Sequence, residues 1–276
     1  MKKAILLLLV VLLCVLMVGC RNSKNQLKEG REVTAHQSDK VSEVKGTTTK
    51  KSDKQTSNST ATSTKFPISD SYTAYIKLKS DLTSKITDGL TSNPDTVLAS
   101  FGLQGVIMID LIMIPAGILG MGKNAAQSGL GFLGATDIEC SESGNRHIIK
   151  YKDKDGILCE FEGEYDEAKD SLVCKATKEG RDSLNSEYFK TPFGYVSQYY
   201  FVNDDGTVSI YRLAIQGDDG VIGISDVDEY TPLTGNETVD FPKSSKEWYA
   251  IFDDAFTGVA KDGTELNFKY IPTDEN

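Results

Sequence analysis

Three regimes of hydrophobic patterning divide this chain. Residues 4–18 are continuously apolar, residues 69–90 carry apolar side chains at helical spacing, and from Asp137 onward apolar and polar residues alternate. Tyr72, Tyr75, Ile76, Leu78, Leu82 and Ile86 lie near a 3.6-residue period, which predicts an amphipathic helix from about Ser69 to Leu90. Asn93-Pro94-Asp95 then reads as an N-cap, a first-turn proline and a first-turn acid. The second helix this predicts ends near Ile114, because Pro115 disfavours a helical residue before it. Asp110 is the one charge between Val106 and Gly122. A span of that length invites comparison with a membrane helix, but a central carboxylate costs ~2.5–3.5 kcal/mol there. The segment therefore reads as a helix buried beneath a sheet, or as an apolar lining for a lipid or other hydrophobic ligand, with Ile107, Leu111 and Ile114 as candidate ligand-binding residues.

The alternating region contains Asp-Gly pairs at 155–156, 205–206, 219–220 and 262–263, which predict hairpins. Parity fixes the register of the first. Ile149, Tyr151, Cys159 and Phe161 share one face only if Lys154, Asp155 and Gly156 form a three-residue loop, pairing Lys150 with Glu160 and Tyr151 with Cys159. That loop is a type I turn with Gly156 in a left-handed conformation. Further strands are expected at Leu172–Thr177, Gly194–Val202, Val208–Ile215, Val221–Ser225 and Glu265–Ile271, and a short capped helix at Ser244–Asp254. The predicted fold class is α+β: N-terminal helices packed on an antiparallel β meander, with a curved, half-barrel-like sheet.

The first apolar run changes the picture of where the chain resides. Lys2 and Lys3 precede an uncharged stretch, Ala4 to Val18, that is shorter than the ~20 residues of a spanning helix. It ends in Leu16-Met17-Val18-Gly19-Cys20. This resembles the bacterial lipoprotein signal, usually Leu-Ala/Ser-Gly/Ala-Cys, with Met17 and Val18 departing from the pattern. The resemblance covers residues 1–20 only. It implies cleavage before Cys20, a diacylglyceryl thioether on that cysteine, often an N-acyl chain, and a protein anchored in the cell membrane on its extracytoplasmic side. Two or three acyl chains hold stably where one binds marginally. An uncleaved anchor and an ordinary secretory signal are the alternatives.

Composition then sets the organisation. Residues 21–65 contain no aromatic residue, are rich in Ser, Thr, Lys, Asn and Gln, and carry 10 basic against 5 acidic side chains. Such a segment cannot bury enough apolar surface to fold, and is expected to be a disordered tether with an end-to-end distance of roughly 35–40 Å. Residues 66–276 carry 18 Lys and Arg against 35 Asp and Glu. The expected organisation is a signal peptide at 1–19, a lipidated cysteine with its tether at 20–66, and one acidic domain at 67–276. An acidity of −17 argues against nucleic acid as a partner.

Catalytic motifs fail in context. Gly117–Asn124 spells a P-loop except that Asn124 replaces the Mg²⁺-binding Ser or Thr, and Gly129–Gly134 spells a dinucleotide fingerprint with no strand before it. His147 is the domain's one histidine and reads as a half-exposed strand residue; its chemical alternative is a base for Cys140. Cys159 and Cys174 read as reduced core thiols, or as a disulfide if directly opposed. Glu160, Glu162 and Glu164 alternate along one strand and read as a solvated face. The Gly217–Gly220 and Ser225–Glu229 acidic clusters fit no EF-hand loop. No catalytic residue, metal or cofactor is assigned.

The sequence therefore predicts a membrane-anchored binding domain without enzymatic activity, for an apolar ligand or an envelope protein. Its layers are loosely similar, in architecture alone, to the LolA/LppX type of lipid-carrying lipoprotein. An extracellular hydrolase using paired carboxylates, and a structural or partner-binding envelope protein, are the other readings.

Overall fold

A computed structural model describes residues 66–203, 205–226 and 230–272. Cys20, the signal sequence and the tether lie outside the described residues. The chain is α+β. Among the described residues three α-helices precede eleven strands, which form one open, curved antiparallel sheet in strict sequence order.

Helix α1 (Pro67–Ser92) crosses the inner face of the sheet, burying Tyr72, Tyr75, Leu82, Ile86 and Leu90 as the periodicity requires. It ends at Asn93, which does not cap a new helix. The Asn93 carboxamide accepts a hydrogen bond from the Asp95 amide, an Asx turn. The Thr96 hydroxyl donates back to the Leu90 carbonyl, closing α1. The expected second helix therefore starts late and is broken. A 3-10 turn at Ala99–Leu103 leads into α2 (Gln104–Ile112), and a second 3-10 turn spans Ile114–Ile118 around Pro115. Helix α3 (Lys123–Phe132) then carries both glycine-rich near-motifs out of contention: Gly117–Asn124 begins inside a 3-10 turn, with no strand before it, and Gly129–Gly134 lies on and just after a helix.

The strands are β1 (Thr136–Ser143), β2 (Arg146–Lys152), β3 (Leu158–Asp166), β4 (Ser171–Lys178), β5 (Arg181–Thr191) and β6 (Gly194–Val202). They continue as β7 (Val208–Gln216), β8 (Asp219–Asp226), β9 (Glu247–Phe252), β10 (Ala255–Val259) and β11 (Glu265–Lys269). The β2–β3 hairpin has the predicted register, with Lys150 opposite Glu160 and Tyr151 opposite Cys159. Gly156 has φ +80° and donates to the Asp153 carbonyl at 3.0 Å, closing a type I turn. Gly206 and Gly263 close the β6–β7 and β10–β11 hairpins in the same way.

Two elements differ from those the local sequence predicts. The turn expected at Asp219-Gly220 lies two residues earlier: Gln216 pairs with Asp219 across a two-residue loop in which Gly217 has φ +67°. The capped helix expected at Ser244–Asp254 is instead strand β9. A short 3-10 turn at Phe241–Ser244 ends in the extended Ser245, and Glu247–Phe252 then pairs with β8 and β10. Cys159 and Cys174 are free thiols, because Cys174 faces Gly163, four residues along β3 from Cys159.

One core fills the space between the helices and the inner face of the sheet. The sheet's other face is covered in part by the 230–245 segment, where the buried Glu187 carboxylate accepts from Gln198 at 2.6 Å and from the Leu233 amide at 2.7 Å.

Candidate functional site

The segment from Val97 to Met113 has two apolar faces. Leu103, Val106, Ile109 and Met113 point into the core and are almost wholly buried. Spacings of three and four place Leu98, Phe101, Met108 and Leu111 outward, with Val97 and Ile107 beside them. Phe101 is 60% exposed, Met108 53% and Leu98 75%. The helix expected to lie buried beneath the sheet is thus buried on one side only. The stretch Ala99–Ile118 is long and apolar enough to cross a membrane by length and composition, yet it is folded in three pieces against α1.

The three candidate ligand residues separate. Ile107 and Leu111 come together one turn apart on the outer face, 47% and 37% exposed. Ile114 turns inward and packs, partly buried, on the core. The outward row that sequence reasoning missed, Leu98, Phe101 and Met108, was signalled by its three-and-four spacing opposite a second such row.

A buried ion pair fixes this segment to α1. The Lys79 ammonium, 1% exposed, donates to the Val106 carbonyl at 2.9 Å and to the Asp110 carboxylate, and lies 5.3 Å from the centre of the Tyr199 ring. Burial pushes Lys79 below its ordinary range against the pull of Asp110, and pushes Asp110 upward against the pull of Lys79. Close approach needs glycines here: a Cβ on Gly105 would stand 1.9 Å from the Tyr211 hydroxyl. A Cβ on Gly102 would stand 2.3 Å from the Glu247 carboxylate.

Under this layer the interior is filled with tyrosines. The Tyr75 hydroxyl donates to Ser197 at 2.8 Å, and its ring stacks on Tyr188 with centroids 4.4 Å apart. Ser71 bridges the Asp170 carboxylate and the Tyr188 hydroxyl. Burial pushes the phenols of Tyr75, Tyr188 and Tyr199 upward, so they remain neutral hydrogen-bonding groups.

Two clefts adjoin at His147. One, of about 570 Å³, is lined by Ile68, Leu119, Asn145, Tyr165 and Glu167 among others. The other, of about 240 Å³, includes Lys123, Cys140 and Glu142. His147 Nδ1 is 3.6 Å from Glu142, and the His147 side chain is mostly buried. Burial pushes the Cys140 thiol upward, the opposite of what a nucleophile requires. A third cleft, about 550 Å³, lies between Thr191–Phe193 and Gly235–Val239.

The carboxylates that line the clefts are Asp166 and Glu167 in the first, Glu142 in the second and Glu237 in the third. Asp110, Asp170, Glu187 and Glu247 are each tied into a separate structural network, and none lines these clefts. Glu160 and Glu162 face Lys150 and Arg146 on the solvated side of β3, as expected. Asp218 and Asp219 of the first acidic cluster both meet Lys85. Among the described residues no group of three or more His, Cys, Asp or Glu is placed to hold a metal ion.

Comparison of the chain with protein-family profiles, with curated proteins and with solved structures finds no match.

Proposed function

We propose that this protein is an extracytoplasmic lipoprotein, anchored to the cell membrane through acyl chains on Cys20, whose folded domain is a non-enzymatic binding module. Its working surface is the outer face of residues 97–111. The observation that carries this reading is the outward row of large apolar side chains above a filled interior. This row stands on a segment fastened to α1 by a buried ion pair. Exposed apolar clusters of this kind mark interaction surfaces in otherwise polar proteins.

The anchor is tested by growing a bacterium expressing the protein with an alkyne-bearing palmitate. Labelling is expected for the native chain and absent for Cys20→Ser, which should appear in the medium. Continued labelling of Cys20→Ser overturns the anchor.

A further inference from the structure

We infer that the occupant of the 97–111 face is the lipid bilayer itself, with Leu98, Phe101, Met108 and Leu111 seated at the boundary between headgroups and acyl chains. The inference rests on the reading of this face as the working surface and names its partner.

Charge chooses the face. Residues 66–276 carry a net −17, so most of the surface is repelled by anionic headgroups. Between Asp95 and Asp137 the chain has only two charged residues, Asp110 and Lys123. Asp110 is neutralised by Lys79 on the inner side. The Glu247 carboxylate, packed beneath Gly102, is buried and accepts from the Tyr249 hydroxyl at 2.8 Å, so neither it nor Asp110 is carried on the outer apolar face.

Composition points the same way. The exposed residues are Val, Leu, Phe, Ile and Met, without the Tyr, Trp or Arg that anchor protein–protein hot spots. Apolar contact without directional hydrogen bonding suits an acyl boundary. The anchor does not choose the face by reach. The 46 residues from Cys20 to Lys65 can reach at most about 165 Å, enough to present any side of the domain. Surface chemistry decides which side settles.

The mature chain from residue 20, carrying Cys20→Ser, isolates this contact from acylation. It is mixed with phosphatidylcholine vesicles and sedimented. Co-sedimentation with these neutral vesicles is expected, and added salt should not release it, because the contact is apolar. Phe101→Ser and Met108→Ser should each lower the partition coefficient about tenfold, from the apolar area each withdraws. Val173→Ser, an exposed apolar position on β4, should leave it unchanged. Near-ultraviolet circular dichroism of the buried tyrosines verifies that each variant is folded. No sedimentation, or sedimentation indifferent to Phe101→Ser and Met108→Ser, overturns the inference. So does a dimer that Phe101→Ser dissociates while vesicle binding is absent, which assigns the face to a second copy. Palmitate labelling in cells answers the anchor question independently.

Discussion

Removing the Asp110 carboxylate tests how the apolar segment is held. Asp110→Ala leaves the Lys79 ammonium in the core with the Val106 carbonyl as its remaining acceptor of the two it now has. Breaking a buried ion pair from one side costs about 3–5 kcal/mol, because the other charge stays behind without compensation. Asp110 is 28% exposed, so water can partly replace it and the lower end applies, about 3 kcal/mol. For a domain of this size that lowers the melting temperature by about 6–12 °C. Urea unfolding followed by the fluorescence of Trp248 measures the loss directly. Lys79→Met with Asp110→Leu removes both charges and should be near neutral. The variant also carries a pH signature. With Asp110 gone, burial alone acts on Lys79, and its folded pKa lies further below the ordinary 10.5. Between those values the unfolded state binds more protons, so stability rises with pH. The gap between Asp110→Ala and the native protein should therefore narrow on the alkaline side, a comparison at equal pH that cancels the tyrosines common to both. A loss below about 0.5 kcal/mol for Asp110→Ala, or a double variant as unstable as the single one, would refute the reasoning.

Two further perturbations follow from the same geometry. Burial pushes the Asp170 carboxyl upward, but hydrogen bonds from Ser71, Lys190 and Tyr165 outweigh it and leave the pKa below the ordinary 3.8. Its stabilisation is present above that value and is lost as pH falls through the folded pKa. Asp170→Asn, which tolerates the φ of +46° at this position, should be less stable near neutrality and lose less stability below about pH 4 in acid titrations of unfolding. Gly220 has φ +154°, and a Cβ there would stand 2.2 Å from the Ala214 carbonyl oxygen and 2.9 Å from Leu82. Gly220→Ala should cost about 3 kcal/mol in urea unfolding, since the backbone atom cannot swing aside; a neutral result would contradict the β7–β8 geometry.

Local chemistry made much of the fold legible. Parity alone fixed the β2–β3 register, because a one-residue slip would have put Ile149 and Glu160 on one face. The errors arose where a local signal met a stronger tertiary one. Ser244-Ser245-Lys246-Glu247 spells a capping box, yet Trp248–Phe252 is drawn into the sheet between β8 and β10. Both of its faces are covered, so the alternation that marks a strand is lost. Strand β5 escaped notice for a related reason. Ser186 and Glu187 are polar and buried on opposite faces, Glu187 by the 230–245 segment, whose contact no local pattern announces. Asn93 caps a turn rather than a helix because Thr96 closes α1 behind it. At the candidate site, the sequence marked the apolar segment and two of its outward residues. The division into inward and outward rows depends on where α1 and Lys79 fasten it, which is a property of packing.

The most direct test is photo-crosslinking of the full-length protein, in membranes of a bacterium that expresses it, with a phospholipid bearing a diazirine in its acyl chain near the headgroup. If Cys20 is acylated and the 97–111 face meets the bilayer, adducts form on the N-terminus and, within the folded domain, on the peptides containing Leu98 to Leu111, and the domain adduct is lost in Phe101→Ser combined with Met108→Ser. Domain adducts on the sheet strands, or adducts confined to the N-terminus, would contradict that contact.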